Sequence, residues 1–330
     1  MSRSRMLVAA LLVAAAARAA PILPSSPAWV EIPLEELRGG YDTLWAVSDV
    51  HGRLKELHQL LLVSGLAVAD GESLRWNPRM ARQLLVVDGD MIDGGKESVG
   101  TVLLIEALQD EAARAGSRVV VLLGNHEAEF LANPRSASHE LRASVRRPSA
   151  NMSTERMSGE ELCETRFGKY LRRLPIAAVI GTWLVAHSGY IRADDAADAR
   201  AYFDRLDAAI AKGDYGPLLE RSSILESHNW WASRGKRKHV RKVLRQLGLN
   251  GLVFGHDPDA LRADGMLAVD ADGWMTKLDT GLKLRHSRGM LLRCDVAAIA
   301  RGAELVMMDG ASSTCRALAP DGSLSPLPVK

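Results

Sequence analysis

The sequence contains little cysteine. Only 3 of its 330 residues are cysteine, and none of them has the spacing of a metal site. Because the number is odd, at most one disulfide can form within the chain. Cys294 and Cys315 are the favoured pair since both lie in the final segment, while three free thiols remain the alternative. The sequence therefore gives no support for a thiolate metal centre.

A strong excess of charge of either sign is also missing. The chain has 42 basic and 40 acidic residues, for a formal net charge of +2. This balance predicts no extended basic surface and therefore no nucleic-acid partner. One local exception is the basic run over residues 234–242. We interpret it as a solvated helix face, with the rim of a site for an anionic substrate as the alternative.

The apolar run near the amino terminus, residues 6–17, is too short to cross a bilayer, which takes roughly 20 residues. It follows two arginines and is followed by small residues, the order typical of a secretory signal. We therefore predict a signal peptide at 1–19 and a periplasmic or secreted mature protein, with an uncleaved anchor as the alternative. No cysteine lies near the cleavage site, so no lipid anchor is indicated. We expect no stable membrane association after cleavage.

The remaining composition, 47% hydrophobic and 25% charged, is that of an ordinary globular protein. Residues 20–40 are rich in proline, serine and acidic residues and are predicted to form an extended linker. One catalytic domain then occupies residues 41–330. Within it, the polar stretch 132–160 is interpreted as an insertion over the site, and 266–306 as short antiparallel strands.

Strand and helix patterns alternate along this domain. Apolar runs typical of buried strands cover residues 43–47, 83–87, 118–123, 176–180, 183–186 and 252–254. Helical spacing marks residues 54–62, 102–115, 167–174, 196–212 and 240–247. The strand–helix alternation of the first half predicts partly parallel strands with helices on the sheet faces and a ligand crevice at the carboxyl ends of the strands. The pattern itself indicates only a mixed α and β fold.

Six potential metal ligands are spread along the chain, and most of them lie where an apolar run ends. They are Asp49, His51, Asp90, Asn125, His187 and His256. Asp49 and His51 are separated by one residue, so in extended backbone they would project on the same side and bind one ion. Imidazole and carboxylate donors without thiolate suit Mn, Fe, Zn or Co, and we favour Mn. The pattern describes a two-metal phosphoesterase site.

The strings around these residues resemble the calcineurin-like metallophosphoesterases. They read Ser-Asp-Val-His-Gly, Gly-Asp-Met-Ile-Asp-Gly, Gly-Asn-His-Glu, Ala-His-Ser-Gly and Gly-His-Asp. The resemblance runs from about residue 44 to 279 and is closest to the serine/threonine protein phosphatase branch with its Shewanella-like bacterial members. Pro258, where the general family often has a second histidine, favours that branch. The resemblance implies a four-layer αββα sandwich of mixed sheets flanked by helices.

The resemblance also implies roles for the ligands. Asp90 would bridge two ions, Asp49 and His51 would hold the first, and Asn125, His187 and His256 would complete the second. A hydroxide bridging the two ions would attack phosphorus. His126 would act as general acid and Asp93 would orient it; the alternative is that Asp93 only caps the following helix.

One position departs from the resembling family. Gly94 stands where the family has a phosphate-binding arginine, so stabilisation of the phosphoryl oxygens is either weakened or supplied by another residue. Arg234 is the best remaining cation, because a guanidinium can hold two phosphate oxygens, and Asn125 is a second candidate. Lys96 is the alternative cation.

We expect dinuclear metal-dependent hydrolysis of phosphate monoesters, including phosphoproteins, by an enzyme of the phosphoric ester hydrolase class. A first alternative is a hydrolase of nucleotides or dinucleoside polyphosphates. A second is a noncatalytic protein that binds metal or phosphate, because Gly94 leaves the phosphate site incomplete. Fold and metal site are shared by enzymes that act on many esters, so the substrate does not follow from them.

Overall fold

A computed structural model describes residues 22–153, 155–284, 287–300 and 314–330 of the chain. The predicted signal peptide at 1–19 lies outside the described residues. In the described part of the chain, no helix has the length and hydropathy that crossing a membrane would require.

The described residues form fourteen strands and ten α-helices. The strands are β1 (Trp29–Ile32), β2 (Thr43–Val47), β3 (Ala67–Asp70), β4 (Ser73–Trp76), β5 (Gln83–Asp88), β6 (Arg118–Leu122), β7 (Ala177–Ile180), β8 (Trp183–Ala186), β9 (Gly251–Phe254), β10 (Ala268–Val269), β11 (Met275–Lys277), β12 (Leu291–Asp295), β13 (Cys315–Leu318) and β14 (Leu324–Pro326). The helices are α1 (Leu34–Gly40), α2 (Leu54–Val63), α3 (Ser98–Arg114), α4 (Asn125–Ala132), α5 (His139–Ser144), α6 (Gly159–Glu164), α7 (Arg166–Leu171), α8 (Ala196–Ile210), α9 (Arg234–Gln246) and α10 (Val296–Ala300).

Two six-stranded sheets carry the fold. The first has the strand order β1-β7-β8-β9-β11-β10, and the second has the order β14-β13-β12-β2-β5-β6. Strands β2, β5 and β6 are parallel neighbours, as are β8 and β9, whereas β7 and β8 are antiparallel. The prediction of partly parallel strands is confirmed.

Alternation along β2 shows how the layers are built. Leu44 and Ala46 belong to the apolar core between the two sheets, together with Val185 of β8 and Val253 of β9. Trp45 and Val47 point to the opposite face and join a second core with the helices. Successive side chains of a strand project to opposite faces, so a strand buried on both faces is apolar throughout.

The outer layers are helical. Leucines of α2 and α3, including Leu57 and Leu108, cover the second sheet, and Phe203 of α8 and Val240 of α9 lie in the same core as residues of the first sheet. The predicted four-layer αββα arrangement of mixed sheets and helices is therefore confirmed.

The prediction that residues 20–40 form an extended linker is wrong for its second half. Strand β1 pairs in parallel with β7, from Trp29 opposite Ala177 to Ile32 opposite Ile180. Helix α1 follows directly and buries Leu37 completely. Four residues of strand gave too short a pattern to recognise, and Pro33 is tolerated because it lies after the edge strand.

Two further segments differ from expectation. The stretch 132–160 was predicted to be an insertion over the site rather than core, but Leu141 and Val145 within it are fully buried core residues. The hairpin of β3 and β4 was not predicted.

The favoured disulfide pairing of the sequence analysis is confirmed. Cys294 and Cys315 are cross-strand partners on β12 and β13 and form a disulfide, while Cys163 is a buried free thiol.

Candidate metal centre and active site

Each candidate ligand lies at or just beyond the carboxyl end of a strand. Asp49 follows β2, Asp90 follows β5, Asn125 begins α4 after β6, His187 follows β8 and His256 follows β9. Carboxyl ends of neighbouring parallel strands meet at one edge of a sheet. The second sheet supplies the first three of these positions and the first sheet supplies the two histidines, so the site joins the edges of both sheets.

Asp90 lies at the centre of the six side chains. Its Oδ2 is 3.6 Å from His51 Nε2, which is 3.8 Å from Asp49 Oδ1. Its Oδ1 is 3.3 Å from His187 Nε2. Asn125 Oδ1 lies 3.1 Å from His187 Nε2 and 3.0 Å from His256 Nδ1. All six predicted ligands therefore converge, with Asp90 between two groups of donors.

The backbone of the site is strained in a way that the sequence did not indicate. Five side-chain-bearing residues have φ in the left-handed region: Asp49 (55°), His51 (47°), Asp90 (50°), Asp93 (61°) and His256 (66°). Such conformations cost roughly 1–2 kcal/mol per residue and cluster at functional sites. The prediction that Asp49 and His51 lie in extended backbone is wrong; the turn, rather than strand alternation, brings them together.

Carbonyl oxygens fix the imidazole rings. His51 Nδ1 is 3.1 Å from Ile92 O, and His187 Nδ1 is 2.9 Å from Asp88 O. A proton on each Nδ1 satisfies the carbonyl, so that Nε2 of the neutral ring can bind an ion in the cluster. Burial opposes protonation of His187, but without an ion the charge of Asp90 outweighs burial and raises the pKa of His187 well above its usual value. Burial lowers the pKa of His51 to about 4 and that of His256 to about 2. Both rings are therefore neutral near pH 7, which is the form that binds metal.

The donor set fits a pair of transition-metal ions. No ligand is more than 8% exposed, and in the described ranges the only ion-pair partners of Asp49 and Asp90 are histidines. Burial, followed by the charge of Asp279, raises the pKa of Asp49 well above its usual value. A buried carboxylate such as Asp49, beside a second acid, is costly to ionise, and bound cations would provide the missing counter-charge. Two carboxylates, three imidazoles and an amide suit Mn, Fe, Co or Zn.

Glu127 supports the loop that carries Asp90, and sequence reasoning assigned it no role. Its carboxylate is completely buried. Oε2 accepts from the backbone N of Gly124 and of Asp90, each at 2.9 Å, and Oε1 accepts from that of Met91 at 2.7 Å and of Ile92 at 3.1 Å. The position of Glu127, three residues after Gly124 at the start of a helix, was a usable signal because a glutamate there often accepts from the preceding backbone.

His126 and Asp93 form the predicted pair. His126 Nδ1 is 3.3 Å from Asp93 Oδ2, and the hydroxyl of Ser138 donates to the other oxygen of Asp93. Burial opposes protonation of His126, but Asp90 and Asp93 outweigh it and raise its pKa to about 9. The alternative that Asp93 caps a helix is wrong, since α3 begins at Ser98 after Glu97.

Comparison with known proteins identifies the family. Residues 43–260 match the calcineurin-like phosphoesterases, which is more than half of the chain. The chain belongs to this family. The resemblance inferred from the sequence motifs is confirmed.

Individual curated relatives match only part of this chain. It is 33% identical to Shewanella-like protein phosphatase 2 of Arabidopsis thaliana over 86 residues, 26% of this chain and 21% of the relative. It is 27% identical to a symmetrical bis(5'-nucleosyl)-tetraphosphatase of Thioalkalivibrio sulfidiphilus (strain HL-EbGR7) over 190 residues, 57% of this chain and 60% of the relative. The chain thus spans about a fifth and about three fifths of the lengths of these curated relatives.

Among solved structures, the cold-active protein-tyrosine phosphatase of a psychrophilic Shewanella species superposes with a TM-score of 0.68 at 19% identity. The match covers 92% of this chain and 82% of that one. At this identity the likeness shows the shared fold.

The two positions considered for phosphate binding, Arg234 and Gly94, do not bring a cation to the ligand cluster. Arg234 begins α9, and its exposed side chain lines a groove with Trp274 and Asp272. Within the described ranges, no hydrogen bond or ion pair links Arg234 to the ligands, so the structure does not bring it to the cluster. Gly94 has a φ of 85°, which disfavours any side chain there.

Two residues at the mouth of the site had received no role from the sequence. His228 stacks on His256 with ring centroids 4.0 Å apart. Lys283 places Nζ 3.3 Å from His126 Nε2. Neither position follows a recognisable strand, so the sequence offered no pattern that would have placed these side chains near the ligands.

Proposed function

We propose that this phosphoesterase is an exported, dinuclear metal-dependent phosphatase that hydrolyses phosphate monoesters, including those of phosphoproteins. The observation that carries the proposal is the position of Asp90. This carboxylate separates two groups of metal donors, and its Oδ2 is 3.8 Å from Nε2 of His126. The Asp90 carboxylate therefore lies next to both the metal donors and His126, the proposed proton donor.

In this proposal Asp49, His51 and Asp90 hold one ion, and Asp90, Asn125, His187 and His256 hold the other. Bound ions would activate a water molecule as the nucleophile and neutralise the phosphoryl oxygens. We favour Mn among the metals that these donors accept. Asn125, with its amide inside the cluster, is retained as a phosphate contact.

His126 supplies the proton that the leaving group needs. As the water oxygen forms its bond to phosphorus, the bond from phosphorus to the ester oxygen breaks, and His126 protonates that oxygen. Asp93 accepts from Nδ1 of His126, which directs Nε2 toward the cluster. Ser138 in turn donates to Asp93 and fixes the carboxylate.

Export is supported by the disulfide of Cys294 and Cys315, because such bonds persist in oxidising compartments. The signal-like pattern at 1–19 supports the same proposal. The substrate would then be a phosphoester outside the cytoplasm.

The first experiment measures turnover of p-nitrophenyl phosphate after removal of metal and reconstitution with Mn, Fe, Co or Zn. Metal-dependent turnover supports the enzyme, whereas metal binding without turnover would favour a noncatalytic binding protein. A panel of phosphotyrosine peptide, phosphoserine peptide, ATP and diadenosine tetraphosphate then identifies the ester. The tetraphosphatase among the relatives favours dinucleoside polyphosphates as the second candidate. Preference for diadenosine tetraphosphate over both peptides would replace our proposal with that one.

A further inference from the structure

The side chain of Lys283 occupies the space beside Gly94. A Cβ built on Gly94 would lie 3.1 Å from Lys283 Cγ and 3.7 Å from its Cε. The same Cβ would lie 3.4 Å from Cβ of His51. A side chain at residue 94 and the present side chain of Lys283 therefore compete for the same space next to a metal ligand.

The ammonium group of Lys283 reaches the reacting side of the site. Nζ is 3.3 Å from Nε2 of His126, and that atom is 3.8 Å from Oδ2 of Asp90. His126 is 20% exposed and Lys283 is exposed. The ammonium group is therefore on the solvent-exposed side of the cluster, beside His126, where a phosphate entering from solvent would contact it.

The backbone that carries Lys283 is attached to the ligand loop. The guanidinium of Arg53, two residues after His51, donates to Lys283 O at 3.2 Å. On the described side of the same segment, the backbone N of Leu284 donates to Gly281 O at 2.8 Å, and the hydroxyl of Ser287 donates to Thr280 O at 2.7 Å. Because the backbone is tied at these points, the position of Nζ depends mainly on the side-chain torsions of Lys283.

We propose that Lys283 is the phosphate-binding cation of this site and donates from Nζ to a nonbridging oxygen of the substrate phosphoryl group. It takes the place of a cationic side chain at residue 94. Lysine binds phosphate as a compact point charge and needs no fixed planar geometry. The assignment rests on the proposed phosphatase function. It differs from the sequence-based choices, Arg234 and Lys96, neither of which makes a described contact with the ligands or with His126.

The test compares Lys283→Gln and Lys283→Arg with Lys169→Gln, a control at an exposed lysine of α7. Metal-loaded proteins are assayed for turnover of p-nitrophenyl phosphate and of an alkyl phosphate. The inhibition constant of inorganic phosphate and the metal content are measured for the same samples. Phosphate inhibition reports on binding without any leaving group, so it separates Lys283 from the proton-donating role of His126.

We expect Lys283→Gln to raise the phosphate inhibition constant and to lower kcat/KM roughly 10-fold, the scale of one charge-assisted hydrogen bond near solvent. Both substrates should lose equally, the metal content should stay unchanged, and Lys283→Arg should recover most of the loss. The Lys169→Gln control should match the wild type.

Wild-type kinetics and phosphate inhibition in Lys283→Gln, with an active parent enzyme, would overturn the assignment. Loss of phosphate inhibition in Arg234→Gln or Lys96→Gln instead would transfer the role to that residue. If the metal-loaded parent neither turns over phosphoesters nor binds phosphate, the proposed function itself fails and the role of Lys283 fails with it. An active parent therefore distinguishes the two failures.

Discussion

Replacing Glu127 by glutamine tests how the loop of Asp90 is held. The native carboxylate accepts four backbone N–H groups, two at each oxygen, and is completely buried. Glutamine keeps only one side-chain oxygen. In either orientation its NH2 group faces two N–H donors, which lose their acceptor at a completely buried position.

Each buried donor without a partner costs about 1–3 kcal/mol, so Glu127→Gln should lower the free energy of unfolding by roughly 2–6 kcal/mol. Domains are typically stable by only about 5–15 kcal/mol, so this loss is a large fraction of the total. Three of the four N–H groups belong to the segment from Asp90 to Ile92, so at least one of them loses its acceptor in either orientation. Asp90 should therefore be displaced and metal affinity should fall.

The assay measures denaturant unfolding of the metal-free protein and the metal equivalents retained after reconstitution. Glu140→Gln is the matched control, since Glu140 is exposed on α5 and has no described partner. Glu127→Gln should unfold at lower denaturant than this control and retain less metal. Full metal content and a midpoint equal to that of Glu140→Gln would refute the role assigned to the four N–H groups.

Three further predictions concern the metal ligand Asp90, the general acid His126 and export of the protein. Asp90→Asn should lose metal and activity together, because a neutral amide bridges two cations poorly; metal analysis showing normal content with normal turnover would contradict this. His126→Asn should retain metal but slow alkyl phosphate turnover roughly 10²–10⁴-fold. The loss should be smaller for p-nitrophenyl phosphate, whose leaving group needs little protonation, and an equal loss for both would disprove the acid role. The mature chain should begin near Ala20, and amino-terminal sequencing that finds Met1 in a cytoplasmic fraction would overturn export.

Much of the fold could be predicted because its central strands are buried on both faces. β2, β5 and β6 are short, almost wholly apolar runs, and each is followed closely by a polar ligand. Once neighbouring strands are parallel, those ligands must meet at one edge. The convergence of the six ligands followed from order and spacing, and the sandwich followed from the resemblance of their motifs.

Long-range contacts explain what the sequence could not provide. Lys283 is more than 150 residues from His126, and only the folded chain brings the two side chains together. The burial of Glu127 is stabilised by hydrogen bonds from four backbone N–H groups, three of which come from the distant Asp90 segment. Strand β1 is an edge strand of four residues, and its pairing with β7 depends on a partner far along the chain.

The left-handed backbone at five functional residues has a consequence for protein engineering. Glycine adopts this conformation without a steric penalty, so replacing Asp93 or His256 by glycine should relieve local strain while it destroys the site. A selection for heat resistance that ignores activity should therefore accumulate glycines at these positions and return robust but inert proteins. Thermostable variants of this enzyme should be sought elsewhere in the chain, with turnover measured at every round.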